Sequence, residues 1–291
     1  MDKITKQNVM LFNGAAAVLI VGSIGYALKT TLISDSIPPC SSAERVGSER
    51  YPRGMQMALE NGGRPLTPAD IQARALGTDW GLLERTKVTQ VSDAPAKVAI
   101  EYTVTHQKAG DRDEAAGREG AGFVWAPRAM QAAKSACLAY SMFVPDGFDF
   151  GAGGRLPGFL GWSKPKEGEE QGQSFQAMPN WDNVGAVGPA LLIGIADGSN
   201  GWNRFGAFEM TRGRWVAIEQ EIVMNTPGES DGIVRTWVNG SLAVDARTAF
   251  NAKEPVSLTG VLAEVSAVGA PVDAKAKNQR VSVTPFIVYL K

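Results

Sequence analysis

Arg155 lies inside the run FDFGAGGRLPGFLGW (residues 148–162), preceded by Gly151, Gly153 and Gly154 and followed by Leu156, Pro157 and Gly158. Glycine lets a backbone turn tightly and approach a ligand, and proline stiffens the exit. Such a run holds out one guanidinium, which stays protonated at any accessible pH and can fork two N–H donors onto a carboxylate. The alternative is a turn whose arginine makes a local salt bridge. Proton transfer would need another kind of side chain. Tyr140 stands on an alternating stretch just ahead of the run, either as an acid or base on an open sheet face or as a core tyrosine with a satisfied hydroxyl. His106, the only histidine, ends the stretch EYTVTH beside a charged loop. It reads as a neutral-pH base or as an ordinary strand-end residue. Trp162, Trp181 and Trp202 could stack on sugar rings or pack in the core or rim. Trp202, in DGSNGWNRFG, has the most exposed setting, and Arg204 falls on its side of an extended chain. Glu219 and Glu221 share one strand face, the pattern of paired glycosidase carboxylates and, more simply, of a solvated face.

Short strands must position these groups. From about residue 80 the chain reads as ERTKVTQV, KVAIEYTVTH, SACLAYSMFV, PALLIGIA, FGAFEM, RWVAIEQEIVMN, GIVRTWVNGSLAV and QRVSVTPFIVYLK. These are rich in Val, Ile, Thr and aromatics and are separated by turn residues. Asn239-Gly240 fits the type I′ turn of a hairpin. No helical pattern intervenes between the strands, which argues against a parallel sheet with crossover helices, and an antiparallel sandwich or jelly roll is expected. Residues 107–122, 163–173 and 269–279 read as surface loops. Ahead of the strands, residues 34–66 read as a Pro-broken polar linker. LTPADIQARALG follows as a short helix, with Thr67 as N-cap, Pro68 at the first position, Asp70 in the first turn and Gly77 closing it.

Between Lys6 and Lys29 the chain is uncharged, around GAAAVLIVGSIGYAL. As a helix these residues would span roughly 33 Å, enough to cross a bilayer. Lys3 and Lys6 precede them, which places the N-terminus in the cytoplasm and the remainder outside. A cleaved signal peptide, with small residues at Gly25-Tyr26-Ala27, and a buried core helix are the alternatives. In an exported protein Cys40 and Cys137 could pair and staple the linker to the domain, or remain two independent thiols. With one histidine, neither a Cys/His metal site nor cysteine chemistry is expected, and no cofactor is called for. A net charge of −1 and the lack of a basic stripe argue against nucleic acid as a partner.

The stretch LAYSMFVPDGFDFGAGGRLPGFLGW resembles the signature region of polysaccharide lyase family 14 and its alginate- and glucuronan-lyase-like relatives, in which a Leu-x-Tyr strand leads to a Gly-Gly-Lys-Leu-Pro-Gly loop. RWVAIEQEIVMNTPGESDGIVRTWVNG resembles the family's Trp-led strand, Asn-Thr-Pro-Gly turn and following strand. Together the two blocks extend the resemblance over roughly residues 80–291. The resemblance implies an all-β antiparallel jelly roll, or concanavalin A-like sandwich, whose concave face holds an acidic polysaccharide and carries out β-elimination. It also shows where this chain departs. Arg155 stands at the family's lysine. The family's Ser-x-Arg-x-Met is Ser174, Gln176 and Met178, with glutamine for arginine. The Tyr-x-Tyr strand falls on GPALLIGIA, which has no tyrosine. On this reading Arg155 neutralises a uronate carboxylate, Ser174 and Gln176 orient it with Trp202 and Arg204 nearby, and Tyr140 or His106 supplies the base.

The expected organisation is a transmembrane signal anchor over 1–33, a linker with a short helix over 34–77, and a lyase-like jelly roll over 78–291. The protein would be single-pass in the inner membrane, with its C-terminal domain in the periplasm or outside the cell. The expected partners are an acidic polysaccharide and, through the N-terminal helix, the membrane. A non-catalytic glycan-binding module and a cell-envelope scaffold are the competing readings.

Overall fold

A computed structural model of the chain describes residues 37–42, 51–75, 78–105, 119–164, 172–193, 203–250, 256–267 and 278–291. The chain divides into two units, Met1–Ile37 and Pro38–Lys291. Of the first, only Ile37 is among the described residues, so the expected signal anchor lies outside them. Among the described residues no helix is long and apolar enough to cross a membrane.

Period-two alternation of apolar and polar residues forces a strand to bury one face, and two such sheets bury their apolar faces against each other. The second unit is this sandwich, and among the described residues every strand pairing within it is antiparallel. The back sheet runs in the order Ser241–Thr248, Gly232–Val238, Trp215–Val223, Ser135–Phe143, Asn278–Val283, Val98–Thr105 and Thr86–Gln90. Ile287–Leu290 also pairs with Ser135–Phe143, and Arg53–Gln56 pairs with Ile287–Leu290. The front sheet runs Gly158–Trp162, Ser257–Leu262, Glu119–Trp125, Val265–Ala267, Gly153–Arg155, Ser174–Asp182, Ala186–Ile193 and Asn203–Arg204. Between the sheets, Ile100, Tyr102, Leu138, Tyr140, Ile218 and Val281 meet Phe123, Phe159, Phe175, Trp181 and Val261. Phe286 sits edge-on to both Phe123 and Tyr140, with ring centroids 6.4 and 5.8 Å away. Each such aromatic buried is worth about 1.5–3 kcal/mol of transfer free energy. The Asn239-Gly240 turn has both residues at positive φ, 49° and 80°, as a type I′ hairpin requires.

Two glycine-rich stretches that read as loop or turn are strands of the front sheet. Glu119–Trp125 occupies a central position although residues 119–122 read as the end of a charged loop. Its glycines are required by close approach: a Cβ on Gly122 would lie 2.2 Å from the Trp80 ring. Gly153–Arg155 is the second. A Cβ on Gly154 would lie 1.9 Å from the Trp181 ring, so this glycine makes room for a core tryptophan and not for a ligand.

Residues 51–75 are an integral part of the sandwich, which corrects the expected linker. Tyr51, Met57, Leu59 and Leu66 are buried. The helix Pro68–Ala75 is held by a reciprocal cap: the Thr67 N–H donates to the Asp70 carboxylate at 2.8 Å, and the Asp70 N–H donates to Thr67 Oγ1 at 3.2 Å. Gly77 lies outside the described residues.

The N-terminal part of the unit covers the outer face of the back sheet. Cys40 and Cys137 form a disulfide, with Cα atoms 5.8 Å apart across 97 residues of sequence. The Ser41 N–H donates to Glu219 at 2.9 Å. Tyr51 donates its hydroxyl to Glu221, which is fully buried and ion-paired with Arg235 at 3.0 Å; Arg235 also reaches Asp245 at 2.9 Å. Glu219 and Glu221 are therefore neither a solvated pair nor a catalytic one. They hold the covering segment in place. Cys40, Cys137 and Glu219 also lie close enough to suggest a metal cluster, but both sulfurs are bonded to each other.

Candidate functional site

Alternation along Ser174–Asp182 sends Phe175, Ala177 and Trp181 into the core and leaves Ser174, Gln176, Met178, Asn180 and Asp182 on the outer face of the front sheet. Directly paired residues share a face. Arg155 is paired with Asn180 on one side and Ser266 on the other. Gln176 is paired with Leu160 and Leu192, Ser174 with Trp162, and Arg204 with Ala190, itself opposite Met178. The fold thus brings Arg155, Ser174, Gln176 and Arg204 to one outer face, about 20 Å long between the levels of Ser174 and Asn180.

Arg155 is 26 % exposed at its side chain and lies 3.7 Å from a carboxylate oxygen of Glu264, which is 1 % exposed. Ser266 donates its hydroxyl to the same oxygen, Oε1, at 2.5 Å. Glu264 Oε2 and Asn180 Oδ1 are both buried and have no hydrogen-bond partner among the described residues. Beneath them Tyr102 donates to the Ala263 carbonyl at 3.2 Å. Burial pushes the Tyr102 phenol far above the ordinary tyrosine range, and the negative charge of Glu264 adds to the rise.

Arg204 is committed to local structure. It pairs with Asp182 at 3.2 Å and donates to the Ala186 carbonyl. Asp182 also accepts N–H bonds from Val184 at 3.1 Å and Ala186 at 2.9 Å. Desolvation pulls the Asp182 carboxyl upward, but these N–H groups and Arg204 outweigh it and hold it below the usual carboxylate value.

Tyr140 is not on this face. Alternation in Ser135–Phe143 turns it between the sheets, where it is 4 % exposed and donates to the Pro157 carbonyl at 3.0 Å. Burial raises its phenol well above the ordinary range. As a candidate base it is corrected to a core residue that braces the segment leaving Arg155. Trp181 is likewise a core residue, its indole N–H donating to the Phe150 carbonyl at 3.0 Å. His106 and Trp202 lie outside the described residues. Trp162, 51 % exposed and level with Ser174, is an exposed tryptophan on the described part of the face. Tyr51 and Tyr289 belong to the back sheet's outer side, so among the described residues no tyrosine or histidine stands on the Arg155 face.

Sequence reading missed Glu264, Ser266 and Asn180. The signal was available in Ala263-Glu264-Val265, a lone carboxylate in an apolar stretch, which is rare unless it is paired.

Residues 94–185 match the family model Polysaccharide lyase 14, just under a third of the chain. No curated protein matches the sequence. Among solved structures, the fold is similar to a family 14 alginate lyase from Aplysia kurodai, with 20% identity and a TM-score of 0.55, covering 73% of this chain and 89% of that one. It is similar to an alginate lyase from Chlorella virus, with 21% identity and a TM-score of 0.54, covering 71% and 90%. An endo-β-1,4-glucuronan lyase from the fungus Trichoderma reesei is similar at 10% identity and a TM-score of 0.52, covering 75% and 90%. Likenesses at this identity establish the fold. With the family match over residues 94–185 they support the resemblance read from the Arg155 run: the chain folds as a β-sandwich similar to the jelly rolls of polysaccharide lyase 14 structures.

Proposed function

We propose that the outer face of the front sheet binds an acidic polysaccharide of the polyuronate type, with Arg155 taking a uronate carboxylate, and that it does so outside the cytoplasm. The observation that carries this is the position of Arg155. It projects from a lyase-type sheet, on a face with Ser174, Gln176 and Trp162, and falls within the stretch that matches the family model. A guanidinium can grip a carboxylate bidentately, Ser174 and Gln176 offer uncharged hydrogen bonds to a sugar, and an exposed indole suits a ring face.

Elimination asks for more. The uronate carboxylate must be neutralised, the C5 proton removed and the leaving oxygen protonated. Arg155 supplies the first and is a very poor base. The described face holds no tyrosine or histidine for the other two, so binding without cleavage is the primary reading. Cleavage is the second reading, favoured by the family match over residues 94–185, and would call on His106. The Cys40–Cys137 disulfide supports an oxidising compartment, and the apolar N-terminal run supports attachment to the inner membrane.

The test is titration of the full-length protein, kept in detergent, with alginate and glucuronan, while following absorbance of the unsaturated product. Saturable binding without product is expected. Arg155→Lys, which keeps the charge over Glu264 but loses the fork, should weaken binding by about tenfold with melting unchanged. Accumulating product would establish the second reading. Absence of binding to every polyuronate tried would sink both.

A further inference from the structure

The surroundings of Arg155 are asymmetric in what they offer a ligand. Glu264 is fully buried. One of its oxygens is engaged by Ser266 and lies 3.7 Å from the guanidinium; the other, Oε2, has no partner among the described residues. Asn180, the cross-strand partner of Arg155, has its Oδ1 in the same condition. Both atoms are acceptors. A buried acceptor without a donor is costly, and native proteins keep few of them. Two beside one arginine, on the face of a lyase-type sheet, exceed what a structural ion pair needs.

A simple anion would leave this arrangement unsatisfied. It brings further acceptor oxygens and another negative charge close to Glu264, and like charges at short range repel. The complementary ligand offers a carboxylate for the guanidinium together with O–H donors for Glu264 and Asn180. A uronic-acid ring with free hydroxyls carries both on one rigid frame. We infer that Glu264 and Asn180 are specificity-determining residues, selecting uronate rings with free hydroxyls over other polyanions and over O-acylated uronates. This inference rests on the proposed polyuronate-binding reading of the same face.

The geometry gives each residue a part. Ser266 fixes Oε1, which keeps Oε2 in one orientation. Both unpaired oxygens are out of contact with solvent, while Arg155 is partly exposed. A ligand carboxylate draws Arg155 outward, loosens its contact with Glu264 and opens Oε2 to a ring hydroxyl. Charged hydrogen bonds of this kind discriminate strongly, because an analogue lacking the donor leaves the acceptor buried and unpaired.

The experiment uses the full-length protein and three probes: alginate, the same alginate after O-acetylation, and polyglutamate, which has carboxylates and no hydroxyls. The wild type should bind alginate at least about tenfold more tightly than either of the others. Glu264→Gln and, separately, Asn180→Ala should cut the preference over polyglutamate to roughly threefold or less: Asn180→Ala by weakening alginate binding with polyglutamate binding unchanged, Glu264→Gln by weakening alginate binding and, with the repelling charge gone, tightening polyglutamate binding. The acetylated polymer separates bulk from donor loss, since a penalty of bulk alone would persist in both variants. Equal binding of all three probes by the wild type, or full preference retained in both variants, overturns the inference and leaves acidic-polymer binding standing. Binding of none overturns both. The wild-type comparison holds even where a variant fails to fold.

Discussion

The hydroxyl of Tyr140 donates to the carbonyl of Pro157 at 3.0 Å, reaching from the back sheet across the sandwich to the segment that leaves Arg155. Both residues are buried. The residue that sequence reasoning places among the proton-transfer candidates is thus part of the support beneath Arg155.

Tyr140→Phe tests that assignment. It removes one donor and leaves a buried carbonyl unpaired, for a cost of about 1–2 kcal/mol. In a domain of this size that lowers the melting temperature by roughly 3–6 °C. Polymer affinity should change by less than about threefold, since no more than the loop's support is touched. An affinity collapse with melting unchanged would return Tyr140 to the ligand-facing set.

Reduction of the disulfide should destabilise the second unit. The bond closes a loop of 97 residues and pins the segment that covers Glu219 and Glu221. Chain entropy for a loop of this length places the loss at about 4–5 kcal/mol. Thermal melts of the full-length protein with and without a thiol reductant, alongside Cys40→Ser/Cys137→Ser, should show the same downward shift. A variant that melts like the oxidised wild type would remove the stapling role. A fragment beginning at residue 78 should also be poorly folded, because it lacks Cys40, Tyr51, Met57, Leu59 and Leu66.

Asp182 gives a pH dependence with a definite sign. Its carboxyl is held below its ordinary value of 3.8 in the folded protein. Its contribution to stability is therefore fully present above that value and is lost as pH falls through the lower, folded value. Melting curves of the wild type and Asp182→Asn should differ by a constant small amount from pH 7 to 5 and converge towards pH 2. The effect stays small because Asp182 and Arg204 are each about a third exposed and solvent screens the pair. A gap that widens in acid would contradict the assignment.

The sandwich was readable because its longer strands alternate: Val98, Ile100, Tyr102 and Val104 point one way, into the core. The same signal fails where glycine replaces the β-branched residues, as in Glu119–Trp125 and Gly153–Arg155. There the strand is identified by what the missing side chains admit, the rings of Trp80 and Trp181, and these are contacts from elsewhere in the chain. The segment around Tyr51 and Leu59 read as linker because its apolar residues are isolated and its partners, Glu221 among them, come from far along the sequence. At the site, the Arg155 run was legible as a local pattern. Its dependence on Glu264 was not, since the two are brought together by the pairing of Gly153–Arg155 with Val265–Ala267.

Cys137 belongs to Ser135–Phe143, a strand with neighbours on both flanks: Trp215–Val223 on one, Asn278–Val283 and Ile287–Leu290 on the other. Tension applied through Cys40 is carried by the disulfide into the middle of a sheet and not to its margin. A marginal strand peels away bond by bond, whereas an interior one must shear two ladders at once. The covalent clip therefore spreads a pull on the beginning of this unit over two ladders of hydrogen bonds, where a clip to an edge strand would load one.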